Sequence, residues 1–197
     1  RYPVLLPRLM DEPVEKLAHL RLHNGTIWRW NRPLIGFDDM GVPHLRIEHR
    51  VLRAGPGVMD TNANAALYFG MLSGLAADAE APEGRLSFLQ ARSNFYAAAQ
   101  HGLKTELVWF DGRKVRAAEL LRVTLLRKAR DGLSRLGVDK PEIDQWLGII
   151  ERRVESRQTG ASWQRHWVER HGIDMQGLTQ AYLENQASGK PVHEWAV

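Results

Sequence analysis

The pattern of the sequence changes near residue 57, and no other feature constrains the fold as strongly. Residues 1–56 hold six of the nine prolines, which is too many for long helices, and polar and apolar side chains alternate in two of their segments. From residue 58 onward, apolar residues recur at helical spacing almost throughout. We therefore expect an α+β protein in which strands precede a helical C-terminal portion.

The same patterns predict the individual elements. A short helix is expected over residues 12–22, because the Asn-Gly pair that follows favours the end of a helix. Strands are expected over 26–32 and 43–52. Further helices are predicted over residues 58–77, 85–100, 115–136, 141–157, 162–170 and 174–186, with an extended piece over 105–110. Small side chains in the helix over 58–77 favour close packing against another element. Since no internal repeat is present, we interpret residues 1–197 as one unit, with strands in 1–56 and mainly helices in 57–197.

Composition excludes several classes of function. The chain has 197 residues and no cysteine, which excludes disulfides, cysteine-bound zinc, iron–sulfur clusters and thiol catalysis. A net charge of +4, with basic residues spread along the chain, disfavours a nucleic-acid partner. No apolar run is long enough for a membrane span and no signal peptide is visible, so we expect no membrane partner and a cytoplasmic location.

The most informative segment is the predicted strand over residues 43–52. His44, Arg46, Glu48 and Arg50 alternate with other residues, so these four side chains share one face. Two-residue spacing separates Glu48 from each flanking arginine by roughly 7 Å. Such a row is consistent with a solvated face held by ion pairs, and also with a site for an anionic substrate and a metal ion.

The neighbouring predicted strand favours the second interpretation. It carries Arg29 and Asn31 on one face and Arg32 at its end, which adds further groups that recognise anions. Together the two strands place four arginines around one carboxylate, which is more than mutual ion pairs require. We therefore expect these side chains to bind an external anion.

Two minor candidates for metal binding are weaker. His19 and His23 lie four residues apart, at the spacing of helical metal ligands, but no acidic residue or third histidine accompanies them. Asp38 and Asp39 lie in the linker between the strands, where such pairs are typical of turns. We expect structural roles for all four residues.

Six segments carry a resemblance to a known family: HNGTIWRWNRP (23–33), PHLRIEHRV (43–51), AGP (54–56), DTNANAALYFG (60–70), TGASWQ (159–164) and GKPVHEW (189–195). They resemble the bacterial glutamate–cysteine ligase-like carboxylate–amine ligases, in particular the branch associated with CBS modules. The Trp-Arg-Trp-Asn-Arg-Pro run is specific, and the resemblance spans nearly the whole chain.

This resemblance implies a fold similar to that of glutamine synthetase, in which the concave face of a curved antiparallel sheet holds ATP, Mg²⁺ and glutamate. It also implies an ATP-dependent carbon–nitrogen ligase that joins glutamate, or a similar amino acid, to an amine such as cysteine. ATP would phosphorylate the carboxylate to an acyl phosphate, and the amine would then displace phosphate.

The resemblance further implies roles for individual residues. Glu48 would be a magnesium ligand, while Arg50 and Arg46 would act in catalysis on the phosphate groups. The substrate would be bound by Arg29, Asn31 and Arg32. Because the catalytic domain of this family is longer, we expect residues 1–197 to be its C-terminal half and an N-terminal part of the same enzyme to supply the other metal ligands.

Other functions stay open at this point. The chain is alternatively a non-catalytic remnant of that fold, which binds a small anion or a partner protein through the same arginine-rich face. A third hypothesis is a basic nucleic-acid-binding domain, for which residues 113–135 supply arginines and lysines between leucines, although such a row usually forms a solvated helix face. Homo-oligomerisation is also left open.

Overall fold

The structure is a computed structural model that describes residues 9–26, 31–51 and 55–197, with the backbone alone for 23–26. The described residues form helices and two small antiparallel sheets, which confirms the expected α+β class. None of the helices described has both the length and the apolar character needed to cross a bilayer.

The chain divides into two compact units. We call Arg1–Arg53 the hairpin unit and Ala54–Val197 the helical unit. A short helix precedes two strands in the hairpin unit, in the predicted order. The elements of this unit are a 3-10 turn at Val14–Lys16, helix α1 at Ala18–Thr26, and the antiparallel strands β1 at Asn31–Phe37 and β2 at Pro43–His49.

The boundaries of these elements differ from the predicted ones. Leu17 is left-handed, with a φ of 49°, so the backbone turns there and α1 starts late. Thr26, expected to open the first strand, is the last residue of α1, and residues 27–30 lie outside the described part of the chain. Strand β1 instead extends to Phe37 through Pro33, which is tolerated because each strand of a two-stranded sheet has one unpaired edge.

Asp38 closes the turn between β1 and β2. Its Oδ1 accepts hydrogen bonds from the backbone N–H groups of Met40 at 3.0 Å and Val42 at 2.8 Å. Gly41 is left-handed, with a φ of 77°, as this turn requires. Asp38 therefore acts as a turn residue.

The helical unit consists mainly of helices, and the predicted ones are confirmed with shifts of a few residues at their ends. Its elements are α2 at Val58–Ala76, α3 at Pro82–Arg85, α4 at Phe88–His101, β3 at Glu106–Val108, β4 at Lys114–Arg116, α5 at Ala117–Leu120, α6 at Leu126–Arg135, α7 at Lys140–Ser156, α8 at Gly160–His171 and α9 at Met175–Ala187.

One predicted helix needs two corrections. The helix expected from residue 115 begins at Ala117, because residues 114–116 pair with β3 as strand β4. Between α5 and α6 the helix widens into a π-helical segment at Leu121–Leu125. Helical periodicity does not signal either feature, since pairing with β3 and the local change in winding depend on tertiary contacts.

Helices α2, α6 and α7 enclose the larger hydrophobic core. Helices α2 and α6 approach closely because small residues face each other at their crossing. A Cβ atom on Gly132 would lie 1.9 Å from the carbonyl oxygen of Gly70, and one on Gly70 would lie 2.4 Å from that of Ala129. The close packing predicted from the small side chains of α2 is thus confirmed.

A second core, the tryptophan cluster, joins α8 to the C-terminal segment. Its buried members are Trp163, Trp167, Val192 and Trp195. The indole Nε1 of Trp163 donates a hydrogen bond to the carbonyl oxygen of Ala196 at 2.8 Å. Apolar burial and hydrogen bonding therefore both hold the end of the chain.

The buried carboxylate of Asp60 links the start of α2 to two distant parts of the helical unit. Its Oδ1 accepts a hydrogen bond from Nη2 of Arg153 on α7 at 2.5 Å, and its Oδ2 accepts one from the backbone N–H of Val192 at 2.9 Å. Nη1 of Arg153 also donates to Oδ1 of Asn64 at 2.7 Å. Asp60 is fully buried, so this network replaces the water that its charge would otherwise need.

We expect Asp60→Asn to destabilise the helical unit by about 3–5 kcal/mol, because the largely buried guanidinium of Arg153 would lose its charged partner. Asp144→Asn is the control, since Asp144 pairs with Arg130 on the surface and should contribute about 1 kcal/mol or less. Urea unfolding followed by circular dichroism measures both changes. A loss for Asp60→Asn no larger than that of the control would contradict the role of the network.

We expect Gly132→Ala to lower the free energy of unfolding by about 1–3 kcal/mol, because its methyl group would force α2 and α6 apart. The control is Gly84→Ala, whose Cβ would lie 3.6 Å from its nearest neighbour, an oxygen of Glu80. That variant should change stability by no more than about 0.5 kcal/mol. Thermal unfolding of the two variants tests this, and equal melting temperatures would rule out the close helix crossing.

Candidate anion-binding site

The register of the hairpin decides which charged side chains share a face. Arg32 of β1 lies opposite Glu48 of β2, and Leu34 lies opposite Arg46. Directly opposed residues of an antiparallel pair point to the same side, so Arg32, Arg46 and Glu48 lie on one face. Arg50 follows β2 and reaches back to Glu48. We call Arg32, Arg46, Glu48 and Arg50 the arginine face.

Glu48 is the centre of the arginine face. Its Oε2 accepts a hydrogen bond from Nε of Arg32, and its Oε1 lies 2.9 Å from Nη2 of Arg50. The side chains of Glu48 and Arg32 are 24% and 12% exposed, so this pair is partly shielded from water. The Arg32 guanidinium holds the pKa of Glu48 below its usual value, and Arg50 acts in the same direction.

Arg46 is the most available cation of this face. No described carboxylate lies within ion-pair distance of it, and the residue is exposed. A Cβ atom on Gly36 would lie 2.8 Å from Nη2 of Arg46 and 2.6 Å from Nε2 of His44. The missing side chain at Gly36 therefore lets the ends of both side chains lie over β1.

Asn31 does not join the arginine face. It lies opposite His49, on the other side of the hairpin, where its Oδ1 contacts Nδ1 of the His49 ring. Burial lowers the pKa of His49. Of the predicted substrate-binding residues, Arg32 is therefore the one that the register brings to Glu48, whereas Arg29 lies outside the described residues.

The arginine face fits an anion better than it fits a magnesium ion. Mg²⁺ prefers an octahedral set of oxygen ligands, and Glu48 is the sole carboxylate of this face, with both oxygens in contact with guanidinium groups. Nowhere in the described parts of the chain do three histidine or acidic side chains come together as a metal site would need. Glu48 therefore provides one ligand at most, and the described residues alone do not fit a magnesium site.

The minor candidates from the sequence have structural partners. Nε2 of His19 accepts a hydrogen bond from the backbone N–H of Met10 at 3.1 Å, while the side chain of His23 lies outside the described residues. In the basic stretch over residues 113–135, Lys128 pairs with Asp78 and Arg130 pairs with Asp144. These ion pairs support the interpretation of that stretch as a solvated helix face.

The polar group around Asp60 has no recognisable signal in the sequence. Asp60 and Arg153 are 93 residues apart in the chain, so no local pattern signals their contact. Nε of Arg153 and Nδ1 of His193 are buried beside this network without a hydrogen-bond partner among the described residues. Burial is also the main cause that lowers the pKa of His193, and the charge of Arg152 adds to it.

The family suggested by the sequence finds no support from known proteins. Comparisons of the chain with protein-family models, with curated proteins and with solved structures find no match. The resemblance therefore stays a prediction, and the chemistry of the arginine face is the main guide to function.

Replacing Arg32 and replacing Arg50 should raise the pKa of Glu48 by different amounts. Arg32 has the larger influence, so Arg32→Gln should raise this pKa further towards the ordinary 4.5 than Arg50→Gln does. Arg46→Gln is the matched control and should leave the pKa of Glu48 nearly unchanged. Carboxyl-carbon NMR titration of the three variants measures these shifts, and an ordinary pKa in the wild type would contradict the ion pairs.

The sign of the pH effect follows from the lowered pKa. The ion pairs of Glu48 contribute stability above the ordinary pKa of a glutamate, and this contribution disappears as the pH falls through the lowered value. Hairpin signals in the same titration should therefore shift in the acidic range. In the Arg32→Gln variant this transition should move towards the ordinary pKa of a glutamate.

Proposed function

We propose that the chain belongs to an ATP-dependent carboxylate–amine ligase and holds its anionic reactants. The arginine face would bind phosphate groups of ATP and the carboxylate of glutamate or a similar amino acid. The hairpin would then be part of a curved antiparallel sheet like that of glutamine synthetase. The observation that carries the proposal is that the guanidinium groups of Arg32 and Arg50 contact Glu48, while Arg46 shares this face without a carboxylate partner among the described residues.

The proposed reaction needs positive charge more than it needs a protein nucleophile. An oxygen of the substrate carboxylate would attack the γ-phosphorus of ATP, and the bond to the bridging oxygen would break to release ADP. The amine nitrogen would then attack the acyl carbon and lose a proton, and phosphate would leave. In both steps, negative charge accumulates on oxygens that guanidinium groups stabilise.

Each residue of the face has a part in this proposal. Glu48 would hold the guanidinium groups of Arg32 and Arg50 in a fixed orientation, so that little rearrangement is needed when the phosphate arrives. Arg46, which has no carboxylate partner among the described residues, would contact the transferred phosphoryl group. Glu48 would also be one ligand of the magnesium ion that accompanies ATP, with the other ligands from outside the arginine face.

A second function is favoured by the contacts of Glu48. Because both of its oxygens already meet guanidinium groups, the face is suited to bind an anion without any catalysis. In that case the chain would be a binding module for a small phosphate or carboxylate, or for an acidic partner protein. ADP release separates the two functions, since only the ligase would produce it.

We expect Glu48→Gln to lower ADP release from Mg-ATP, in the presence of glutamate and an amine, by about 100-fold or more. The variant loses the charge that orients Arg32 and Arg50 but keeps the shape of the side chain. The assay uses the longest natural chain that contains residues 1–197, a panel of amino acids and amines, and a coupled assay for ADP. Circular dichroism confirms that the variant is folded.

The matched control is Glu106→Gln, an exposed substitution at the start of β3 in the helical unit. It should release ADP as fast as the wild type. Undiminished release by Glu48→Gln would remove Glu48 from the site. No release with any amino acid would exclude the ligase, and phosphate binding by the wild type that Arg46→Gln weakens would then support the binding module.

A further inference from the structure

A pocket of about 440 Å³ opens in the helical unit, apart from any residue of the arginine face. Its walls come from the segment after α2, the turn after β3, and the start of α6. This volume lies within the range of small-molecule sites in proteins. We call it the aromatic pocket, because Trp109 and Phe110 form one of its walls.

The aromatic wall is held in place by several contacts. The rings of Trp109 and Phe110 stack with centroids 4.3 Å apart and an angle of 24° between their planes. The guanidinium of Arg85 lies over the ring of Phe110, at 4.1 Å from its centroid. The backbone N–H of Trp109 donates to the carbonyl oxygen of Arg113 at 3.0 Å, which fixes the turn that carries both rings. Such a wall offers a planar surface that changes little when a ligand binds.

The charged groups of the pocket leave one cation without an acidic partner. Asp78 accepts a hydrogen bond from Nζ of Lys128 and lies 3.6 Å from Nη1 of Arg85, while Glu80 lies 3.9 Å from Nε of Arg85. Arg127 also lines the pocket, and no carboxylate of the described residues pairs with it. The pocket therefore has a net positive charge, with Arg127 available for an anion.

Another part of the pocket lining comes from the π-helical segment at Leu121–Leu125, which supplies Thr124 and Leu125. A π-helical turn is rare, and it occurs mostly as a local widening of an α-helix, often at functional sites. Here it contributes Thr124 to the pocket lining, in the turn that precedes Arg127. The lining thus combines a threonine and an arginine with the aromatic pair of Trp109 and Phe110.

We propose that the aromatic pocket binds a nucleoside monophosphate. The base would stack on Trp109, and the phosphate would pair with the guanidinium of Arg127. The Thr124 hydroxyl and the carboxylate of Glu80, which is largely exposed and only loosely paired, would bind the polar edges of the base and sugar. Purine nucleotides should bind more tightly than pyrimidine nucleotides, because the larger base covers more of the ring surface.

This combination of groups selects a ligand with two parts. A free phosphate would use Arg127 but leave the aromatic wall in contact with water, and an uncharged aromatic ligand would leave Arg127 without a partner. A nucleoside monophosphate joins a planar ring to one anionic group, so it could stack on the aromatic wall and pair with Arg127 at the same time. The proposal does not depend on the ligase activity, since it concerns other residues in the other unit.

The test is calorimetric titration of the full chain, without magnesium, with AMP, GMP, UMP, adenosine and ribose 5-phosphate. We expect saturable binding of AMP at one site, and binding weaker by about tenfold or more for adenosine and for ribose 5-phosphate. Arg127→Gln should weaken AMP binding by about tenfold while adenosine binding stays unchanged. Trp109→Ala should weaken both ligands, and Trp109→Phe, which keeps a stacking ring, should restore most of the affinity.

The matched control is Arg122→Gln, which removes an exposed arginine of the π-helical segment that does not line the pocket. It should bind AMP like the wild type. Absence of AMP binding at millimolar concentration would overturn the proposal, as would binding that Arg127→Gln leaves intact. Binding lost in Arg46→Gln would assign the nucleotide to the hairpin instead, and tight binding of single-stranded RNA without AMP binding would make the pocket a nucleic-acid surface.

Discussion

The helical unit depends on a single buried carboxylate. Asp60 lies in the first turn of α2, and its two oxygens accept hydrogen bonds from Arg153 on α7 and from the backbone of Val192 near the C-terminus. Val192 in turn belongs to the tryptophan cluster, so the same carboxylate connects the large core to the small one. A buried charge is tolerated only where such partners are present, which makes the relative position of α2, α7 and the C-terminal segment specific.

The arginine face uses its carboxylate in a different way. Glu48 lies on a small hairpin rather than in a core, and its ion pairs with Arg32 and Arg50 are partly open to water. Such pairs contribute little to stability, yet they orient guanidinium groups towards one side. The charge left over on this face, chiefly on Arg46, is what an anionic reactant would neutralise. Asp60 therefore stabilises the fold, while Glu48 orients the arginines of the proposed site.

Much of the fold could be predicted from local patterns. The helices over 58–77 and 141–157 were expected within a residue or two of their observed ends, because long apolar periodicity and a proline in the first turn are local signals. Strand β4 could not be predicted in this way, since its residues also suit a helix and only their pairing with β3 makes them a strand. The π-helical segment was missed for a similar reason, as no residue pattern marks it.

For the candidate site, the sequence alone determined that Arg46, Glu48 and Arg50 alternate along one strand, because side chains of a strand point to opposite faces in turn. The tertiary structure decided which residue of the neighbouring strand joins them. A shift of one residue in the register exchanges the two faces, and the observed register selects Arg32 and places Asn31 with His49. The aromatic pocket is likewise formed by contacts between separate segments of the chain. Nothing in the sequence around Trp109 or Arg127 indicates that both residues line the same pocket.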